Sequence, residues 1–211
     1  RTKNRPIASE KISTNLGLLY VLVLCFLALI VLLQFNNLTI LLAFASMPLA
    51  FTYPLMKRLT YWPQLFLGIT FNYGLILGWT SINNEINIIP LVLYFGAIFW
   101  TLGYDTIYGY QDIKDDQIIG VKSTSIKFKN NPKKFLTICY IILILSFIAV
   151  GIMMKFKTFY FVVLILPIIH LILFQIKKLN VEEPKSCLKY FKSNNLFGFM
   201  VFINLLIGKL T

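Results

Sequence analysis

Negative charge is what this chain has least of: 8 Asp and Glu stand against 20 Lys and Arg in 211 residues. Charged residues of both signs make up only 13% of the chain, while 58% is hydrophobic and the mean hydropathy is +0.76. A soluble domain of this size could not cover that much apolar surface, so the composition excludes the soluble globular class and leaves a multi-pass membrane protein. Histidine is reduced to His170, and the three cysteines Cys25, Cys139 and Cys187 show no ligand spacing. That excludes a His/Cys metal centre and a disulfide framework. His170, inside an apolar run, reads as a hydrogen-bonded core histidine, and cysteines in apolar runs read as buried thiols. The net charge of +12 comes without any groove-reading motif or basic soluble domain, which argues against nucleic acid as a partner. No secretory signal peptide is visible, and the chain opens on Arg1 in a charged loop, as expected of a sequence lacking its natural beginning.

What is present is a series of long apolar runs. They read as seven spans: Asn15–Leu33, Leu38–Met56, Gln64–Ile82, Ile86–Tyr110, Phe135–Met154, Thr158–Ile176 and a weaker Phe191–Gly208. Helices of about 20 residues cross roughly 30 Å of hydrocarbon at 1.5 Å per residue. The expected fold is therefore all-α, a multi-pass helical bundle forming a single membrane domain over residues 1–211. Pro48, Pro54 and Pro167 are expected to kink or interrupt their spans. Gly74 and Gly78 form a GxxxG pair, expected to permit close helix packing. Asn72 is expected to make a packing hydrogen bond. The loops alternate in charge, and 17 of the 20 Lys and Arg fall on one side, leaving only Lys155, Lys157 and Lys209 on the other. The positive-inside rule assigns the basic side to the cytoplasm, or to the matrix in a mitochondrion.

Four of the eight acids lie in one stretch, YDTIYGYQDIKDDQIIGVKST, from Tyr104 to Thr124. A carboxylate at the end of an apolar run is costly unless it has a partner. On a helix, Asp105, Asp112 and Asp116 fall within roughly 40° of one another and form one acidic stripe at the mouth of a span. Such a stripe suits a hard divalent cation, and Mg2+ in turn suits a phosphate-bearing substrate. Intramembrane acids also mark ion pathways, so a cation- or proton-coupled transporter is the rival reading. No second copy of the stripe appears in the other spans, which weighs against the repeat architecture common in transporters.

The same stretch resembles the second aspartate-rich motif of the UbiA family of intramembrane prenyltransferases, in the form typical of 4-hydroxybenzoate polyprenyltransferases. RTKNRPIAS at Arg1–Ser9 is similar to the segment that follows the family's first aspartate-rich motif. YPLMKRLTYWPQLFLGITFNYGLILGW at Tyr53–Trp79 is similar to its next cytoplasmic loop and helix. The resemblance extends from Arg1 to about Phe128; beyond that only hydropathy speaks. It implies seven spans of a nine-helix fold around a cavity open to lipid, with two helices and the first motif absent from this sequence. It also implies that this stretch of chain is inactive on its own.

The implied reaction moves a polyprenyl chain from polyprenyl diphosphate to the ring of 4-hydroxybenzoate, in ubiquinone biosynthesis. Asp112 and Asp116, with Asp115 nearby, are the implied Mg2+ ligands. Lys57, Arg58 and Lys122 would add positive charge for the diphosphate, and Arg5 would hold the acceptor carboxylate. Tyr104 and Tyr108 would face the allylic cation, and Asp105 would act in a second shell or toward the acceptor. Another aromatic acceptor is the alternative within the same chemistry. The implied setting is a bacterial or mitochondrial inner membrane.

Overall fold

The structure is a computed structural model that describes residues 5–211; the first four residues of the RTKNRPIAS segment lie outside the described residues. Among the described residues there is no strand. Seven helices are long and apolar enough to cross a membrane: α1 (Thr14–Leu32), α2 (Asn37–Leu59), α3 (Pro63–Asn83), α4 (Ile88–Ile119), α5 (Pro132–Met153), α6 (Thr158–Lys177) and α7 (Pro184–Leu210). The protein is an all-helical integral membrane protein, and each span agrees with an apolar run in the sequence.

Polar residues at the run boundaries start the helices. Ser13, Asn36 and Asn87 accept hydrogen bonds from the backbone N–H groups of Leu16, Thr39 and Ile89, capping α1, α2 and α4. Pro63, Pro132 and Pro184 occupy first-turn positions, where the missing N–H costs nothing. Gly120, at φ +77°, ends α4 in the left-handed conformation that glycine adopts freely.

Helix α4 is the axis of the bundle. It packs most extensively on α5 and then on α3. Its glycines make this possible. Gly96 lies against Ser146 and Gly103 against the Tyr140 ring, where a Cβ would have no room. On the α3 side, Gly68 sits against the Ile98 carbonyl. The Asn72 amide donates to the Gly68 carbonyl (2.8 Å), the Ala97 carbonyl (3.2 Å) and Thr101 Oγ1 (2.7 Å), the packing role expected of it. Toward α7, Trp100 Nε1 donates to Asn194 Oδ1 at 2.9 Å.

Several expectations change. The GxxxG glycines do not pack closely: a Cβ at Gly74 or Gly78 would meet nothing within 4 Å. Close approach is made instead by glycines outside that motif, while Gly78 borders an open cavity shared with Leu93 of α4. The third span is also not one continuous helix, since regular α-helix ends at Phe71 and resumes at Gly74. His170 is buried, but neither ring nitrogen has a hydrogen-bond partner among the described residues; the ring packs against Phe174 and Phe197. The α6 interruption falls at Leu164, and its last stretch, Leu171–Lys177, is wound as a π-helix. Pro48 stays within regular helix, whereas Pro54 lies in a 3-10 turn, Tyr53–Leu55.

Candidate active site

The acidic end of α4 is built in three pieces. Regular helix runs from Ile88 to Gly109, a 3-10 turn covers Tyr110–Asp112, and helix resumes over Ile113–Ile119. The turn does not scatter the stripe. Asp105, Asp112 and Asp116 line one cavity of about 250 Å³, together with Arg5, Lys57 and Tyr108. Spacings of seven and eleven residues keep these carboxylates on one side, as the helical period requires.

The walls of the cavity are stapled to one another. Gln64, only 4% exposed, accepts a hydrogen bond through Oε1 from the Thr124 N–H at 3.0 Å. Thr106 Oγ1 donates to the Leu102 carbonyl (2.6 Å), which leaves Thr124 Oγ1 as the donor in their 2.6 Å contact. Ser125 Oγ donates to the Thr106 carbonyl at 2.8 Å, and its hydroxyl fills the space where Gly109 lacks a Cβ. The short helix Thr124–Lys127 is thereby sewn to α3 and α4. The Lys122 N–H donates to the Lys57 carbonyl at 2.8 Å, joining the end of α2 to the chain leaving the acidic helix. Tyr108 faces the cavity, and its ring also meets Phe191 of α7 at 4.6 Å.

Some expected site residues lie elsewhere. Asp115 is exposed and outside the cavity lining, because adjacent helical positions are about 100° apart and Asp116 takes the inward one. Arg58 is exposed outside the lining for the same reason, with Lys57 turned inward. The Lys122 ammonium donates to the Leu59 carbonyl at 3.2 Å and lies over the Tyr61 ring, so its charge is directed at the loop. Tyr104 is packed between Trp100 and Phe191 and does not line the cavity. In turn the cavity contains Tyr53, Gln64 and Leu67, which sequence reasoning did not assign. Gln64 carried a signal: a lone amide in an apolar stretch needs a buried partner.

Among the described residues no three His, Cys, Asp or Glu side chains are gathered closely enough to hold a metal by themselves. The donor chemistry still fits Mg2+. That ion is commonly held by one or two carboxylates, with substrate phosphates and water completing its shell. Asp112 and Asp116 offer that pair, beside cations suited to the phosphates.

Known proteins resemble the chain throughout. The UbiA prenyltransferase family matches residues 1–205. The mitochondrial 4-hydroxybenzoate polyprenyltransferase of Bos taurus is 42% identical over 211 residues, all of this chain and 57% of that protein. The 4-hydroxybenzoate geranyltransferase 2 of Lithospermum erythrorhizon is 40% identical over 213 residues, covering 69% of its length. The chain thus spans little more than half of its mitochondrial relative. In fold it is similar to the apo structure of a UbiA homolog from Aeropyrum pernix K1, with a TM-score of 0.72 over 97% of this chain and 78% of the other, at 21% identity. With the family matched along nearly the whole chain, and an acidic cavity lined by three of its seven membrane helices, α2, α3 and α4, this protein is a member of the UbiA prenyltransferase family.

Proposed function

We propose that this protein supplies the second acidic half of an intramembrane active site that transfers a polyprenyl chain from polyprenyl diphosphate to the ring of 4-hydroxybenzoate. The observation that carries the reading is the single cavity holding Asp105, Asp112, Asp116, Arg5, Lys57 and Tyr108. The names of the relatives above support the substrate pair.

Asp112 and Asp116 would hold Mg2+ together with diphosphate oxygens. Mg2+, when bound, offsets the negative charge of the diphosphate leaving group. Lys57 and Arg5 place cations on the same cavity and would bind the remaining phosphate oxygens, Arg5 with its forked geometry. Arg5 is also placed to hold the acceptor carboxylate. Tyr108 presents an aromatic ring, whose negative face attracts a developing allylic cation. Phe191 packs on that ring and fixes its orientation. Asp105 lies seven residues deeper along α4 than Asp112, suited to orient the acceptor. Gln64 and Thr124 hold α3 to the chain beyond the acidic helix and so keep the cavity walls in register.

The positive charge of the loops on its side supports a cytoplasmic or matrix location for the acidic mouth, in an inner membrane. The test is an assay of the full-length protein in membranes with polyprenyl diphosphate, 4-hydroxybenzoate and Mg2+. The expected product is prenylated 4-hydroxybenzoate, lost on chelation and restored by Mg2+. Product formation unaffected by chelation overturns the metal assignment. Prenylation of a different aromatic acid, with none of 4-hydroxybenzoate, overturns the substrate assignment.

A further inference from the structure

A second cavity lies at the opposite end of α4. Measured along that helix from Asp105 to Pro90, it is about 22 Å from the acidic mouth. Its volume is about 460 Å³, and Gly78, Trp79, Leu93, Met154, Phe156 and Leu205 are among its mainly apolar lining. Two features separate it from an ordinary gap between helices. Trp79 lines it, and Trp79 Nε1 is buried without a hydrogen-bond partner. The nitrogen has almost no accessible surface, so the groove meets the indole ring and not its N–H.

The second feature is charge. Among the described residues three cations fall at this end of the spans, Lys155, Lys157 and Lys209. Lys209 lines it. Lys155 and Lys157 flank Phe156, which lines it too. The turn that carries them is held in place. Lys155 adopts φ +56°, its N–H donates to the Ile152 carbonyl at 3.0 Å, and the Phe156 N–H donates to the Gly151 carbonyl at 2.9 Å. The Phe156 ring fills the space left open by Gly208. All three lysines are exposed. Glu85 is the one acid of the neighbouring α3–α4 turn, where it accepts a hydrogen bond from the Asn87 amide. The cavity surroundings therefore keep a net positive charge.

We propose that this cavity binds an anionic phospholipid of the leaflet opposite the acidic mouth. Its phosphate sits at Lys209 between Lys155 and Lys157, and an acyl chain fills the apolar groove along the Trp79 ring. The location suits this occupant, since tryptophan and lysine at a membrane–water interface face headgroups while an apolar groove faces the chains.

The experiment uses the full-length protein purified in a neutral detergent. Phosphatidylglycerol, phosphatidylcholine and inorganic phosphate are titrated separately, with retained lipid counted by native mass spectrometry and the thermal midpoint followed alongside. Phosphatidylglycerol is expected to bind and raise the midpoint. Lys209→Gln, Lys155→Gln and Lys157→Gln are each expected to weaken that binding about fivefold, the equivalent of one lysine near an anionic surface. Gly78→Leu leaves every charge in place, and a Cβ there meets nothing, yet its side chain enters the groove; it is expected to weaken binding as well. Equal binding of phosphatidylcholine overturns the proposal, as does full stabilisation by inorganic phosphate alone. Wild-type affinity in all the lysine variants, or in Gly78→Leu, overturns it too.

Discussion

Helices α1 and α4 invert the usual relation between apolarity and burial. The more apolar of the two, α1, has a mean hydropathy of 2.7, and none of its residues is buried. In the most apolar 18-residue stretch of helix α4 the mean hydropathy is 1.5, and 39% of that stretch is buried inside the protein. In water the order would be reversed. In a bilayer the lipid tails are as apolar as leucine, so apolarity alone gives a helix no reason to leave lipid for protein. Small residues that let backbones approach, and polar groups that need partners, provide that reason. Helix α4 has Gly96, Gly103 and Gly109 with Thr101 and Thr106; α1 has leucines and a single Gly17 that meets only Ile7.

This contrast can be attacked directly, and the largest effect belongs to the acidic end of α4. In the full-length protein, Asp112→Asn or Asp116→Asn keeps side-chain size while removing a charge proposed to bind Mg2+. Turnover is expected to fall by about 10²–10³-fold, the equivalent of several kcal/mol of metal-ion stabilisation, with a matching loss of diphosphate affinity. Steady-state kinetics at varied Mg2+ measures both. Wild-type kinetics in either variant would remove that residue from the site.

The next effect concerns packing. Gly103→Leu drives a side chain into the Tyr140 ring and should lower stability by about 1–3 kcal/mol, the range for overfilling a packed interior. Unfolding in mixed micelles reads this out. Asn72→Leu comes third. It removes the amide that links α3 to the Ala97 carbonyl and Thr101 and should cost about 0.6–2 kcal/mol by the same assay. The smallest effect is expected on α1. Leu24, 64% exposed, can become alanine with a change of no more than about 0.5 kcal/mol. A loss at Leu24→Ala equal to that at Gly103→Leu would break the contrast.

The seven spans were legible because an apolar run of membrane length has few other fates. The acidic stripe was legible for a related reason: seven- and eleven-residue spacings survive the 3-10 turn at Tyr110–Asp112, so the helical period still placed Asp105, Asp112 and Asp116 together. Interhelical detail was not legible. The GxxxG pattern named Gly74 and Gly78, but which glycine is crowded depends on which face meets a neighbour, and that is decided between helices. Two of the four expected cations lie outside the cavity lining for the same reason. Lys122 and Arg58 stand beside the motif in sequence, while the Leu59 carbonyl and the orientation of a short helix turn their charges from the cavity. Gln64 was missed because its partner, the Thr124 N–H, is 60 residues away.

The length of α4 has a consequence for depth. Its 32 residues measure about 48 Å, against roughly 30 Å of hydrocarbon. Even a tilt of 40° leaves about 37 Å along the bilayer normal, so the helix overhangs the apolar slab at every ordinary tilt. With Asn87 capping one end near the opposite interface, the overhang falls on the acidic turns. Asp105 lies about 10 Å from Asp112 along the helix, toward the middle of the span. Helix length acts here as a plumb line. Bilayer thickness then bears on how far the three carboxylates stand from the hydrocarbon, so hydrophobic mismatch reaches the acidic end as well as the packed middle of the helix.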